Sequence, residues 1–528
     1  MLGGGYMVFE RNAPADGVRR MALKFRALRA AACLAVALAV ASSALVTARA
    51  MDGDQGYWGG VSSGEVDGRT QMEYREVCFL SGTPIELSGT LTLRKTERGG
   101  NVTAVYQYSL RDDSNTAMIN RTLTFVTTRE VKPNGQKIDS TVLDRFTEQV
   151  VLPTGSYALR SYDYTRTCIY DPKAAIEYYS GNIWSKKTYA QAGNQGRSPE
   201  TITVEEVGEY YGYNGYWGSA QTLLLDGVVR TVKEGDSWGG TFEVRVSSGM
   251  TREMMLSENR PDAISFRDGY LERQRNEGVM EYRCAFPEMD RRGVSTDVMV
   301  DRSGSLRLET FPSQVRLPVP DLWHLRGHFQ YEAIRELYSL EILPGEDRFF
   351  KPEQFMTRAE FASALDKLIR PAPVLNVSVR TSARSTARNA APVASFADVP
   401  VGGAHFEAIE SVLRKRLMNG IGGNNFSPNG PITYGDAVTV LVRALGLEGL
   451  APNPNSSLTI ADAKGTPAYQ RNALYVAERI GLIRPDARGN YNPGQRLTNA
   501  MASRLFCDYL DYMRSTIRKD YRDHMLGF

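Results

Sequence analysis

The segments "FFKPEQFMTRAEFASALDKL" (349–368), "FSPNGPITYGDAVTVLVRAL" (426–445) and "YNPGQRLTNAMASRLFCDYL" (491–510) decide the reading of the C-terminal part of this chain. In each, a proline follows an aromatic by two residues and precedes a threonine by five: Phe350, Pro352 and Thr357; Phe426, Pro428 and Thr433; Tyr491, Pro493 and Thr498. A threonine ahead of a helical run is an N-cap. Its hydroxyl accepts from one of the four N–H groups that a first turn leaves without intrahelical partners. Thr357 and Glu360 have the spacing of a capping box, Thr433 and Asp436 a weaker version, and Thr498 caps alone because Met501 cannot reciprocate. After each cap the apolar residues fall at +4, +7, +8 and +11: Phe361, Ala364, Leu365, Leu368; Ala437, Val440, Leu441, Ala444; Ala502, Leu505, Phe506, Tyr509. That spacing places them on one helix face.

A second helical stretch precedes each segment: "DLWHLRGHFQYEAIRELYSLEILPG", "DVPVGGAHFEAIESVLRKRLMNG" and "DAKGTPAYQRNALYVAERIGLI". Their leading residues Asp321, Asp398 and Asp462 stand 36, 35 and 36 residues before the capping threonines. One two-helix unit cannot bury its apolar face alone, so the three units, 321–370, 395–450 and 458–512, are expected to pack on one another. The stretch 371–394 lacks periodicity and is rich in Ser, Ala, Arg and Pro, which marks a linker; 513–528 reads as a basic tail.

Residues 51–320 read differently. "ELSGTLTLRKTE", "NVTAVYQYSL" and "TFEVRVSSG" alternate apolar and polar residues between glycine-rich turns. The expectation is an all-β, sandwich-like region of one or two subdomains. "GYWG" and "MEYR" each occur twice, at Gly56 and Gly215 and at Met72 and Met280, which hints at a duplicated sheet motif. At the N-terminus, arginines and a lysine between Arg19 and Arg29 precede the apolar run "AAACLAVALAVASSALV" and the small-x-small site Ala48-Arg49-Ala50. This is the form of a cleaved signal peptide over residues 1–50, the alternative being an uncleaved anchor. No later stretch is apolar enough to span a membrane.

The formal net charge is +3, with no basic footprint for nucleic acid. Cys78, Cys168, Cys284 and Cys507 have no zinc-type spacing; one internal bridge and buried free thiols both remain open. All four histidines, His324, His328, His405 and His524, lie in the helical part, so the β region cannot hold a histidine-based triad. His324 and His328 are four apart, but no third metal ligand accompanies them. Glu205, Glu206 and Glu209 read as solvated charges, the first two on opposite strand faces. The clusters "GEYYGYNGYWG" (208–218) and "QGYWGG" (55–60) suit either sugar stacking or a β core, and the core reading is preferred.

The helical units resemble the S-layer homology repeat. "SFADV", "FEAI", "NG", "FSP" and "PIT" in the second copy and "MTRAEF" in the first carry the likeness. The resemblance implies an all-α pseudo-threefold bundle with one central helix per repeat, whose grooves hold secondary cell-wall polysaccharide, often pyruvylated. Residue by residue it implies Arg358 as the main ligand contact, Asp321, Asp398 and Asp462 as the leading aspartates, and Gly345 and Gly420 as turn glycines near the groove. Tyr434 and Asn499 replace the arginine in copies two and three, and Arg484-Pro485 replaces the turn glycine in copy three, so one groove is expected to keep the full chemistry. An arginine at a helix N-terminus suits an anionic ketal, because guanidinium charge and helix dipole add. The whole reading is a secreted, non-enzymatic cell-wall protein of S-layer type, without cofactor or metal, whose β region is displayed or self-assembles. Its rivals are a wall-anchored carbohydrate-active enzyme and an adhesin.

Overall fold

The structure, a computed structural model, describes residues 59–63, 71–192, 200–233, 236–257, 269–290, 294–370, 393–451 and 465–521. The expected signal peptide, most of "QGYWGG", residues 371–392 of the linker, His524 and Asp462 lie outside these residues.

Fourteen antiparallel strands form one sheet. They are β1 (Gly60–Ser62), β2 (Gln71–Cys78), β3 (Ile85–Arg98), β4 (Asn101–Arg111), β5 (Met118–Val131), β6 (Lys137–Leu152) and β7 (Gly155–Pro172), then β8 (Ile176–Gln191), β9 (Thr201–Gly215), β10 (Gly218–Lys233), β11 (Asp236–Ser257), β12 (Gly269–Met289), β13 (Ser295–Glu309) and β14 (Ser313–Arg316). Each of β1 to β12 pairs with the next in sequence, and β14 joins β12. The sandwich expectation therefore gives way to a single meander. The sheet curls back on itself, barrel-like: Phe79, just after β2, stacks on Phe242 of β11 at 4.4 Å, and the Tyr282 hydroxyl of β12 donates to Glu86 of β3 at 3.3 Å. Alternation alone cannot distinguish the two architectures, since both bury one face of each strand.

Inward glycines permit the curl. Gly181 lies opposite Tyr210, Gly212 opposite Tyr179, Gly227 opposite Phe242 and Gly304 opposite Tyr282. A Cβ at Gly227 would sit 2.0 Å from the Phe242 ring, so only glycine lets the aromatic fold across its neighbour. The repeated "MEYR" becomes intelligible here. Tyr74 and Tyr282 both point inward, and each lies against a glycine, Gly60 and Gly304. The inward face is mainly apolar, whereas outward positions carry Arg94, Gln107, Arg111 and Asp163. A lipid-facing barrel has the opposite polarity.

A charged network lies within the largely apolar interior. Arg121 donates in bidentate fashion to both Glu76 and Glu148, at 2.9–3.0 Å, and all three side chains are almost wholly buried. Lys187 and Ser185 donate to Glu206 at 2.8 and 2.6 Å, and Tyr189 donates to Glu148 at 3.2 Å. Glu206 is therefore a buried ion-pair partner rather than the solvated charge its sequence context suggests. Glu205, on the opposite face, pairs with Lys186. The four later cysteines are buried free thiols; burial pushes Cys78 up to about 12 and Cys168 up to about 11.

The helical part contains α1 (Tyr331–Ser339), α2 (Arg358–Leu368), α3 (Phe406–Arg414), α4 (Tyr434–Leu445), α5 (Ala468–Arg479) and α6 (Asn499–Asp511). A π-helical turn at Tyr512–Thr516 leads into α7 (Ile517–Asp520), so the start of the basic tail is ordered helix. No described helix is long and apolar enough to cross a membrane. Helices and sheet end share one core, in which Ala175, Ile176, Tyr213 and Trp217 join the helical residues. Trp217 is 1% exposed, and its indole N–H donates to the Leu368 carbonyl at 2.9 Å. The Arg514 and Arg370 guanidiniums lie over its ring at 4.9 and 5.6 Å. The Ala175 N–H and Tyr178 hydroxyl donate to the Ala444 and Leu445 carbonyls at 3.0 and 3.1 Å. The aromatic cluster at 208–218 is thus the joint between barrel and helices.

Two outcomes are expected in chemical denaturation of the full chain. Arg121→Met leaves Glu76 and Glu148 facing one another without a counter-charge and should cost ~3–5 kcal/mol. Trp217→Ala should cost ~3–5 kcal/mol and split one unfolding transition into separate barrel and helical steps. A wild-type curve from either variant would contradict the role assigned to that residue.

Candidate functional site

The three helical units are joined through the residue just ahead of each capping threonine. The Met356 N–H donates to Leu497 O (2.9 Å), Leu497 N–H to Ile432 O (2.9 Å) and Ile432 N–H to Met356 O (3.1 Å). These bonds close a ring that links unit one to three, three to two and two to one.

The helix starts repeat the same logic. Thr357 accepts from Glu360 N–H, and the Glu360 carboxylate accepts from Thr357 N–H in a complete capping box. Thr433 accepts from Asp436 N–H and Thr498 from Met501 N–H. The next two N–H groups of each helix cross to the neighbouring unit. Arg358 and Ala359 donate to Gly430 and Pro428 carbonyls, Tyr434 and Gly435 to those of Gln495 and Pro493, and Asn499 and Ala500 to those of Gln354 and Pro352, all at 2.8–3.0 Å. The prolines at fixed spacing thus supply acceptors to the next helix, whose orphan donors would otherwise need water.

Three grooves follow, and their first-turn residues differ. In the groove between units one and two, Arg358 Nε donates to Phe426 O at 2.9 Å and Nη2 to Asn419 O at 2.7 Å. Its guanidinium lies 4.7 Å from the Phe426 ring centre. Burial pulls the Arg358 pKa down, and Asp436 and Asp398 partly restore it. Asp398 accepts from Phe426 and Ser427 N–H groups at 2.8 and 2.7 Å. Burial opposes its charge, but these bonds prevail and hold its pKa below 3.8. Gly420 has no room for a side chain, since a Cβ would lie 2.7 Å from both Asn425 O and the Phe396 ring. Ser363 and His405 hydrogen-bond at 2.7 Å across the same groove.

The other grooves use shorter or apolar groups. Burial pushes the Tyr434 hydroxyl up to about 12, and Gly435 leaves space for Gln470, whose amide donates to Asp436 at 2.9 Å. Asn499 Nδ2 donates to Lys351 O at 3.0 Å, a shorter version of the Arg358 contact. Beside it a cavity of about 660 Å³ is lined by His324, His328 and the 350–354 loop. His324 Nε2 bonds the Phe350 carbonyl at 3.0 Å, while His328 Nδ1 accepts from Gln330 N–H at 3.1 Å. Among the described residues no group of three or more His, Cys, Asp or Glu is placed to hold a metal ion.

Of the residues singled out from sequence, Arg358, Asp398 and Gly420 meet around Phe426. Asp321 and Gly345 lie in the corresponding loops of unit one, where the Asp321 side chain is exposed and Gly345 adopts φ 83° with open space around it. Phe426 and His405 stand in the sequence only as a repeat anchor and one of four histidines, and nothing there marks them or Asn419 as site residues; the two main-chain carbonyls carry no side-chain signal at all.

Three two-helix units joined in a ring beside a β-barrel-like region define a modular protein with a repeat-built helical part. Residues 325–362 and 395–438 match the S-layer homology domain, so this helical part carries S-layer homology repeats. Three relatives resemble the chain, mainly over the repeat region. An amylopullulanase from Thermoanaerobacterium thermosulfurigenes is 24% identical over 35% of this chain and 9% of its own length. Exoglucanase XynX from Acetivibrio thermocellus is 25% identical over 39% and 18%, and the Surface-layer 125 kDa protein of Lysinibacillus sphaericus 23% over 36% and 15%. The chain therefore spans less than a fifth of each of these relatives.

Because the folded-state pKa of Asp398 is depressed, its contribution to stability is full above about 3.8 and fades as pH falls through the lower folded value. Asp398→Asn should lower stability at pH 7, with the gap to the parent closing in denaturation curves taken below pH 4. A gap constant with pH would show that the carboxylate charge plays no part.

Proposed function

We propose that this protein is exported to the cell envelope and held non-covalently to secondary cell-wall polysaccharide by its helical repeats, with the barrel displayed outward as a non-enzymatic surface module. The observation that carries the reading is the S-layer homology match at 325–362 and 395–438. The ring of main-chain bonds supports a pseudo-threefold arrangement of the units, and the name of one relative, a surface-layer protein, supports the location. Within the barrel Glu76, Glu148 and Glu206 are committed to buried ion pairs, which favours a structural over a catalytic role for them.

The groove between units one and two is the working site in this reading. Arg358 spends Nε and Nη2 on carbonyls, and its Nη1 has no protein partner among the described residues. A guanidinium fixed in this way is aimed rather than mobile, and it can meet an anionic sugar substituent such as a pyruvyl ketal at little cost in side-chain entropy.

The folded full chain should pellet with isolated wall sacculi, and pelleting should fall once the secondary polymer has been extracted. Arg358→Gln should weaken binding ~10-fold or more, the scale of one charge-assisted hydrogen bond, with Tm measured alongside to separate ligand loss from loosening of the groove. Failure of the folded chain to pellet at all overturns the reading.

A further inference from the structure

Five main-chain ladders connect β8 to β13, and across them the outer face of the sheet dips into a furrow of about 880 Å³. The dip follows a register row that runs from Gly208 through Leu225, Val244 and Tyr282 to Gly304, with glycine at both ends. A Cβ at Gly304 would lie 2.4 Å from the Tyr282 hydroxyl, so the missing side chain leaves room for the buried Tyr282 ring across β13. At ~4.8 Å per strand the furrow is about 24 Å across, enough for an extended chain of several units.

Six charged side chains line its flanks: Glu209, Asp226, Glu243, Arg245, Glu281 and Arg283, all exposed. Glu243 faces Arg283 and Arg245 faces Glu281 in the strand register. Opposite charges on neighbouring strands ordinarily pair, whether directly opposite, as Lys186 and Glu205 are, or diagonally, as Arg252 with Glu272 and Arg275 with Glu309 elsewhere in this sheet. In the furrow none of the six has an ion-pair or hydrogen-bond partner among the described residues. Asp226 and Glu243, of like charge, even face one another directly. Four carboxylates and two guanidiniums therefore present free acceptors and donors along one channel.

From this geometry we infer that the furrow is a second binding site, separate from the helical repeats, for a neutral, hydroxyl-rich oligosaccharide chain. Carboxylates and guanidiniums each engage adjacent hydroxyls in bidentate fashion, and a channel with both signs repels polyanions while holding no uniform field for polycations. A peptide fits less well. Peptides that add to sheets take their affinity from main-chain bonds at an edge, whereas β8 to β12 under this furrow are already paired on both sides and only β13, at one end, is paired on one side alone.

The test is titration calorimetry of the full chain with tetra- to hexameric cello-, malto-, xylo- and chito-oligosaccharides, and with a lysine-rich peptide as the competing class. At least one oligosaccharide should bind, and Glu243→Gln combined with Glu281→Gln should weaken it at least tenfold while sacculus pelleting stays at the parent level. Arg283→Gln alone should weaken the same sugar. The inference is overturned if no oligosaccharide binds, if binding survives both variants, or if only the peptide binds. Because pelleting reports on the repeats and calorimetry on the barrel variants, failure here leaves the wall-anchoring reading standing, and the reverse also holds.

Discussion

The helical part depends on how three helix N-termini are satisfied. Each first turn exposes N–H donors, and burying them without partners would cost on the order of 1–3 kcal/mol apiece. Here a threonine takes one donor, and carbonyls of the neighbouring loop take two more. A unit alone has no such carbonyls. Its helix would start in water, and the apolar stripe behind the cap would have nothing to pack on. The ring through Met356, Ile432 and Leu497 therefore sets register between units, while the stripes supply most of the burial.

That division of labour explains why the first-turn residue can vary. Arg358, Tyr434 and Asn499 occupy one position in three units, yet the main-chain ring beside them is the same. The arginine adds side-chain bonds to two carbonyls and stacking on Phe426; the asparagine keeps one bond; the tyrosine fills the space with a ring. Architecture is carried by backbone atoms and binding chemistry by a single side chain, so grooves of different chemistry can coexist on one scaffold.

Legibility in the sequence followed the same line. Helical units were readable because caps, prolines and apolar stripes are side-chain signals with fixed spacing. The ring was not, because Leu497 O or Gly430 O leaves no mark in the identity of its residue. In the β region alternation identified strands, but it could not report that the sheet curls into one layer, since that depends on which glycine faces which aromatic across a ladder. Glu206 misled for a related reason. Its neighbour Glu205 is half-exposed and paired with Lys186, and only the face of the strand separates the two. The expected groove was only partly recoverable: Arg358 was visible, but its fixed geometry comes from Asn419 and Phe426 carbonyls.

The joint at Trp217 bears on how the two parts work together. Residues of the sheet end complete the core of the helices, and Tyr521 beyond α6 returns to the sheet, donating to Tyr179 O at 3.3 Å and stacking on Tyr178. Arg514 and Arg518 tie the same segment to Glu336 on α1 and Glu277 on β12. A flexible tether would let the barrel swing freely over whatever surface the helices hold. A shared core with buried aromatics does not, because reorientation would expose Trp217 and Tyr213 and strand the Arg370 and Arg514 charges beside them. The outer face of β8 to β13 is therefore presented at an angle fixed by the repeats, and a ligand held in that furrow would be held in a defined orientation to anything bound in the grooves.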